Sequence, residues 1–548
     1  MDERIKVTVM GEQVELSNSM TYLELSKSYK DKFKNPIIIA KQNGIYKELN
    51  DKVESLGEVE FFDHNEREAN RVYLSGLVYL TIYAFKTLYN GSLRVKHSID
   101  KGLYIETNIS IDEEKIQQLK EKMNELVSLN LPIEKINVSR MDAIKYFEKV
   151  EDLSKVGLMK YNTNTYVTLY KLADMYNFFF SQMPVSTSVF TSFDLKYLNS
   201  NGFVLLFPTV YMGDVIKEYQ HHSKVFDVFN ESHKWAKLMN IDNSYSLNEF
   251  VSSGNISSLI RMDETLQSNR LLETAKNIYE KRDRIKIVLI AGPSSSGKTT
   301  TCNKLCMYLR SFGMNPQTLS MDDYFLDRDQ TPKREDGSYD FEALEAVDLG
   351  LFDTQVRELL EGKEVLMPIF NFLLGQKEFR KRLKLGKDDI LIIEGIHGLN
   401  PGILTSIPNE NKYKIYISPL TGLNLDNHNR MSTTDNRLLR RIVRDNRTRG
   451  HDVTATLEQW PKVREGEEKY IFPYQDEADC VFNSALIYEL GVLKTYVEPL
   501  LYSVDTSSKY YHEAKRLINM LKMFLPIPSE DIPSDSLLRE FIGGSCFK

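Results

Sequence analysis

The rhythm of apolar and polar positions changes along this chain, and the change marks its organisation. In the first 63 residues the apolar blocks are short and the turns close. Val7–Val9 and Val14–Leu16 flank Met10-Gly11-Glu12-Gln13, which predicts a hairpin. A helix is predicted from Thr21, its cap, to Phe33, followed by a strand at Ile37–Ala40, a turn at Asn43-Gly44 and a strand at Val59–Phe62. Helical periodicity then takes over from Asn70 to Tyr89, in a charged stretch from Asp112 to Leu129, and again through Met141–Phe147. Between 211 and 283 helices are predicted around Val215–Met239 and Leu259–Arg282, separated by a Ser/Asn-rich break at Asp242–Ser258. Beyond 284 strand and helix patterns alternate. The candidate strands are Ile285–Ala291, Gln317–Met321, Asp389–Glu394, Tyr413–Ser418 and Cys480–Asn483. That alternation predicts a doubly wound parallel sheet, with ligands beyond the carboxyl ends of its strands. The expected units are a small β-grasp domain at 1–63, an α+β domain at 64–210, a helical connection at 211–283, an α/β domain at 284–525 and a tail at 526–548.

Composition narrows the class without naming it. A length of 548 residues calls for several domains, and 42% hydrophobic with 27% charged residues is ordinary for a soluble globular chain. No apolar run approaches a membrane span, and MDERIKV has no apolar signal core, so a cytoplasmic protein with no membrane contact is expected. Four cysteines, two of them (Cys302 and Cys306) one helical turn apart without further Cys or His nearby, read as reduced thiols. A net charge of −7 argues against coating nucleic acid by bulk electrostatics.

Chemistry concentrates at the predicted strand ends. Gly292 to Thr299 reads GPSSSGKT, a complete G-x-x-x-x-G-K-[ST] phosphate loop between a predicted strand and a predicted helix. Backbone N–H groups of Gly292, Ser294, Ser295, Ser296, Gly297, Lys298, Thr299 and Thr300 are expected to cradle a polyphosphate, aided by the helix N-terminus. Lys298 is expected to reach the β- and γ-phosphates, and Thr299 to hold Mg²⁺. Asp322 and Asp323 follow one strand and Glu394 ends another, positions suited to proton transfer or metal binding. Arg437, Arg440, Arg441, Arg444 and Arg447, with Arg449 beyond, form a helical stripe that reads as an anion-clamping lid.

These segments resemble the uridine kinase and phosphoribulokinase family over about residues 284–500. GPSSSGKTT is similar to its phosphate loop, and SMDDYF to its S-x-D-x-[FY]-[FY] segment, which implies Asp322 as general base. SYDF resembles an N-F-D motif and implies Asp340 as ribose anchor. PIFNF is similar to the base-binding P-x-Y-D-F stretch, implying Phe370 and Phe372 around the base. IIEGIHGL resembles the F-E-G-I strand end, with Glu394 at the metal, and RLLRRIVRDNRTRG the arginine-rich lid. The implied protein is an α/β P-loop kinase using ATP and Mg²⁺ to phosphorylate a nucleoside 5′-hydroxyl, uridine or cytidine first. Lys298, Asp322, Arg444 and Arg449 would be catalytic. Phe325, Tyr339, Asp340, Phe370, Phe372 and Arg440 would touch the acceptor, and Thr299 and Glu394 the metal. Gly375 stands where nucleoside-specific members carry histidine, Asn371 where they carry an acid, and Phe325 where they carry tyrosine. A pocket tolerant of more than uridine, or another sugar-like acceptor, follows from those departures.

The first 210 residues resemble the front of threonyl-tRNA synthetases, a TGS β-grasp domain followed by the editing domain. Where that family has an H-x-x-x-H pair and a C-x-x-x-H pair, this chain has Leu74 and Val78 (or, one residue along, Ser75 and Tyr79), then Phe179 and Met183. None supplies a thiolate or imidazole. A packing or recognition role is expected there, with an RNA or nucleotide as the implied partner, and a ligand-sensing regulator as an alternative to the enzyme.

Overall fold

The computed structural model describes residues 4–371 and 374–547, so Phe372 lies outside the described residues. The front unit is a five-stranded sheet in the order Glu12–Ser17, Arg4–Val9, Glu58–Phe62, Ile39–Gln42, Ile45–Glu48. Its first hairpin turns on Met10 and Gly11, with φ of 51° and 83°. Thr21 caps its helix in a capping box with Glu24. That helix stops at Ser26 rather than Phe33. The Ser26 hydroxyl binds back to the carbonyl of Leu23, 2.8 Å away, and a separate 3₁₀ turn follows at Lys30–Lys32.

In the second unit a 23-residue helix, Arg67–Tyr89, packs with a four-stranded antiparallel sheet and a three-stranded one. Val78, Phe179 and Met183 are buried in one hydrophobic cluster, and Leu74 packs against it. These are the four positions where the synthetase resemblance would put ligands, and they are filled with hydrocarbon.

The Ser/Asn-rich break is not a break. It contains the helix Ser244–Ser252, capped by Asn243. Its polar residues are buried against distant partners: Asn248 bonds the carbonyl of Met523 at 2.9 Å and the N–H of Leu525 at 2.8 Å. A long helix, α1 (Ile256–Glu280), follows.

Five parallel strands form the rear sheet: β1 (Ile287–Ala291), β2 (Asn315–Ser320), β3 (Asp389–Glu394), β4 (Lys412–Ser418) and β5 (Cys480–Asn483), in the order β2-β3-β1-β4-β5. Side-chain alternation serves both faces. Val288, Ile290, Ile390 and Ile392 pack with α1 and α2 (Lys298–Ser311), whereas Ile287, Leu289, Leu391 and Ile393 face the helix Leu349–Leu360 and a hairpin of Val365–Asn371 with Gln376–Leu383. Cys302 and Cys306 are free thiols within the α2 core. Two helices cross the top of the sheet, α3 (Thr433–Arg449) and α4 (Val453–Tyr470). The expected tail is not loose: Ile527, Leu538 and Phe541 are fully buried. Among the described residues no helix is long and apolar enough to cross a membrane.

The two halves meet at the loop before α3. Lys155 and Asp426 form an ion pair at 3.1 Å with both side chains fully buried, and the Val95 N–H donates to the Asn427 carbonyl at 2.8 Å.

Candidate active site

The phosphate loop links β1 to α2, and its shape follows from two glycines. A Cβ on Gly292 would overlap the carbonyl of Ile417, and Gly297 holds φ at +86°. Ser295 also lies in the left-handed region, at φ 60°. Among the described residues the N–H groups of Ser295, Gly297, Lys298 and Thr299 have no acceptor, and the hydroxyls of Ser295 and Ser296 are buried without partners. The loop is therefore a concave set of unmatched donors at a helix N-terminus, which suits an anion. Lys298 Nζ folds back onto the carbonyls of Gly292 (2.9 Å) and Pro293 (3.3 Å).

Three carboxylates surround this lysine from separate segments. The Thr299 hydroxyl lies 3.4 Å from Glu394 Oε2 at the end of β3. Burial pushes the Glu394 carboxyl up to about 7, with Asp322 adding to the rise and Lys298 opposing it. Asp322 opens onto the cleft but sits in a recess. Lost hydration raises its carboxyl above the ordinary range, against the charges of Lys298, Arg449 and Arg444. No described residue donates a hydrogen bond to the Asp322 carboxylate, whereas Asp323 accepts one from the Phe370 N–H at 3.2 Å. The neighbours thus divide their work. Asp323 pins the hairpin, and the Asp322 carboxylate is left without a donor among the described residues.

The third acid is Glu342, which no sequence motif marks. Asp340, the expected ribose anchor, is held by Arg334 at 2.9 Å and is taken up in fixing its own loop. Glu342 lies two residues on, and the absent side chain of Gly466 makes room for it. Its carboxyl is raised to about 7 by burial first, with Glu467 and Asp322 adding to the rise and Arg441 and Lys298 opposing it. Motif spacing favoured Asp340, because nothing local showed that Arg334 would claim it.

The arginine stripe is mostly not a lid. Arg437 and Arg440 are fully buried. Arg437 pairs with Glu467 at 2.5 Å and donates to the Ser294 carbonyl at 3.1 Å, and Arg440 pairs with Glu489 at 2.5 Å. Arg440 is a buttress behind the loop rather than a substrate contact. Arg441 donates to the Ser294 hydroxyl at 2.8 Å. The C-terminal end of α3 does face the cleft. Asp445, fully buried, collects Arg441 (3.1 Å), Arg444 (2.8 Å) and Arg449 (3.6 Å), and the last two lend their charge to Asp322.

On the acceptor side Phe370 is buried rather than free to sandwich a ring. It packs edge-on to Phe325 with centroids 5.8 Å apart, inside the hydrophobic cluster. Phe341 is exposed and meets Tyr339 at 5.9 Å. Gly375 holds φ at +69°, and a Cβ there would crowd Arg328, so a histidine in this conformation would be strained. Asn371 shapes the hairpin turn, its side chain accepting from the Leu374 N–H at 3.1 Å.

Residues 287–488, from β1 through β5, match the family model described as Phosphoribulokinase / Uridine kinase family, so the rear half carries a domain of that family. Over 240 residues the chain is 28% identical to the uridine kinase of Borrelia duttonii (strain Ly), covering 41% of this chain and 100% of that protein. Uridine-cytidine kinase B of Dictyostelium discoideum is 25% identical over 196 residues, 36% of this chain and 73% of that one. The N-terminal region is similar to the threonine–tRNA ligase of Sulfurihydrogenibium sp. (strain YO3AOP1), at 24% over 173 residues, 30% of this chain and 27% of the ligase.

Proposed function

We propose that this protein is an ATP-dependent phosphotransferase that phosphorylates a hydroxyl of a small sugar-bearing molecule, a nucleoside 5′-hydroxyl first and uridine or cytidine first among nucleosides. One observation carries the reading. An anion-accepting loop with Lys298 and a pair of under-compensated acids, Asp322 and Glu394, converge at the carboxyl ends of β1, β2 and β3. Four unmatched N–H donors fit a polyphosphate, and a hydroxyl beside a desolvated carboxylate (Thr299 and Glu394) fits Mg²⁺. When bound, the nucleotide supplies the phosphoryl group and the ion neutralises phosphate charge.

The chain supplies position and proton transfer. Lys298 turns from its own loop carbonyls to the phosphates. Asp322 accepts the proton of the attacking hydroxyl, and its raised basicity improves that step while the neighbouring cations keep it ionised. Arg444 and Arg449, oriented by Asp445, stabilise the charge of the group in flight. Glu342, rather than Asp340, faces the sugar hydroxyls. The glycine at 375 favours a wider acceptor range, including other sugar-like molecules, because no imidazole is there to reject analogues.

The test is a screen of ribonucleosides, 2′-deoxyribonucleosides and simple sugars with ATP and Mg²⁺, read as ADP release. Ribonucleosides are expected to lead, and Glu342→Ala to erase their advantage over deoxy analogues while Asp340→Asn does not. Lys298→Ala should lower turnover on the order of 10²–10³-fold with the fold intact. Normal turnover in a folded Lys298→Ala protein would sink the assignment.

A further inference from the structure

The N-terminus of α2 is already engaged by a carboxylate of this chain. Glu540, in the short C-terminal turn Arg539–Ile542, accepts from the Thr300 hydroxyl at 2.7 Å and from the Thr300 N–H at 3.2 Å, both through Oε2. The turn is held there from two sides. Arg447 of α3 donates to the carbonyls of Glu540 (2.7 Å) and Phe541 (3.0 Å), and the Arg440 guanidinium lies 5.0 Å from the Phe541 ring. Upstream, Lys304 of α2 pairs with Asp535 at 3.0 Å, and Ser536 bonds Glu264 of α1 at 2.5 Å.

A helix N-terminus following a phosphate loop favours an anion, and here the chain provides its own. The anchors hold the backbone of the turn, so the side chain of Glu540 can swing out without unfolding it. We propose that Glu540 is a built-in competitor for the nucleotide: its carboxylate occupies a phosphate-binding position at Thr300 and must be displaced when a polyphosphate enters, so the C-terminal turn gates the site. The inference rests on the nucleotide-binding reading above and adds a regulated element to it.

Equilibrium binding of ATP, ADP and adenosine to the full chain tests this. Glu540→Ala is expected to tighten ATP and ADP by about tenfold, since removing the competing state raises the binding-competent fraction. Adenosine, which has no phosphate to contest the position, should be unaffected. Arg447→Ala, which frees the turn but keeps the carboxylate, should tighten ATP by a smaller factor. Should Glu540→Ala fail to fold, Glu540→Gln, which removes the charge and keeps the shape, takes its place with the same expected direction. Unchanged or weaker ATP binding in folded variants overturns the gate while leaving nucleotide binding intact. Failure of wild type and variants alike to bind any nucleotide overturns the reading beneath it.

Discussion

The two places in this protein where a family resemblance would put chemistry have opposite contents. At the front position, the helix Arg67–Tyr89 packs against the segment around Phe179–Met183 through hydrocarbon. The rear cleft gathers Asp322, Glu342 and Glu394 about one lysine and leaves backbone donors unmatched. Desolvated charge and unmatched donors cost folding stability, so they persist where a ligand completes them. Apolar filling has the reverse economics: it stabilises the fold and offers nothing to react. The contrast places the polar, ligand-ready cleft in the rear half, whereas the four front positions contribute packing.

The largest test of that contrast is Asp322→Asn. The amide keeps the shape but cannot accept a proton at neutral pH, so the rate constant for turnover should fall by about 10²–10⁴-fold with nucleotide affinity kept. Steady-state kinetics beside nucleotide titration checks it. Phe179→Ala is the mirror experiment. It should cost about 3–5 kcal/mol of stability through the cavity it leaves, with the turnover of the folded protein unchanged. Denaturant melts and assays well below the midpoint read the two effects separately, and a loss of turnover without a loss of stability would break the comparison.

A smaller effect concerns pH. The Glu394 carboxyl, raised to about 7 in the fold, favours the native state while protonated. That contribution is complete below the ordinary glutamate range, about 4.3, and is lost as pH rises through 7. Glu394→Gln should therefore melt higher than wild type at pH 8 and match it at pH 4. An unchanged difference between those two pH values would show that the acid is not desolvated. The smallest effect is expected from Asp323→Asn. It weakens one hydrogen bond to the hairpin, worth about 0.5–1.5 kcal/mol, and should change turnover far less than Asp322→Asn.

All five strands of the rear sheet were legible in the sequence, within about two residues at each end, because β-branched blocks bounded by Gly, Asp and Asn have few alternatives. The phosphate loop was legible for the same reason that it works: its glycines are dictated by a close approach and a left-handed turn. What escaped were the groups whose meaning depends on distant partners. The acids that neutralise Arg437 and Arg440 lie 30 and 49 residues further along the chain, so the stripe looked unpaired and free to move. Asp340 is a different case: Arg334 lies only six residues back, but it reaches Asp340 through an irregular loop that no periodic pattern marks. The helix Ser244–Ser252 looked like a linker because its serines and asparagines are satisfied by residues near 424 and 524. Glu540 sits 240 residues from Thr300, and no local pattern could join them.

The buried pair of Lys155 and Asp426 has a consequence for how this chain can be taken apart. Cutting between the halves would open this contact to water and leave each charge without its partner, and removing one member of such a pair within the intact chain typically costs about 3–5 kcal/mol. The halves are therefore expected to unfold in a single calorimetric transition, and each expressed alone to be poorly soluble. Mixing the two fragments should restore what neither has separately, so the fusion point behaves as a subunit interface that happens to be covalently closed.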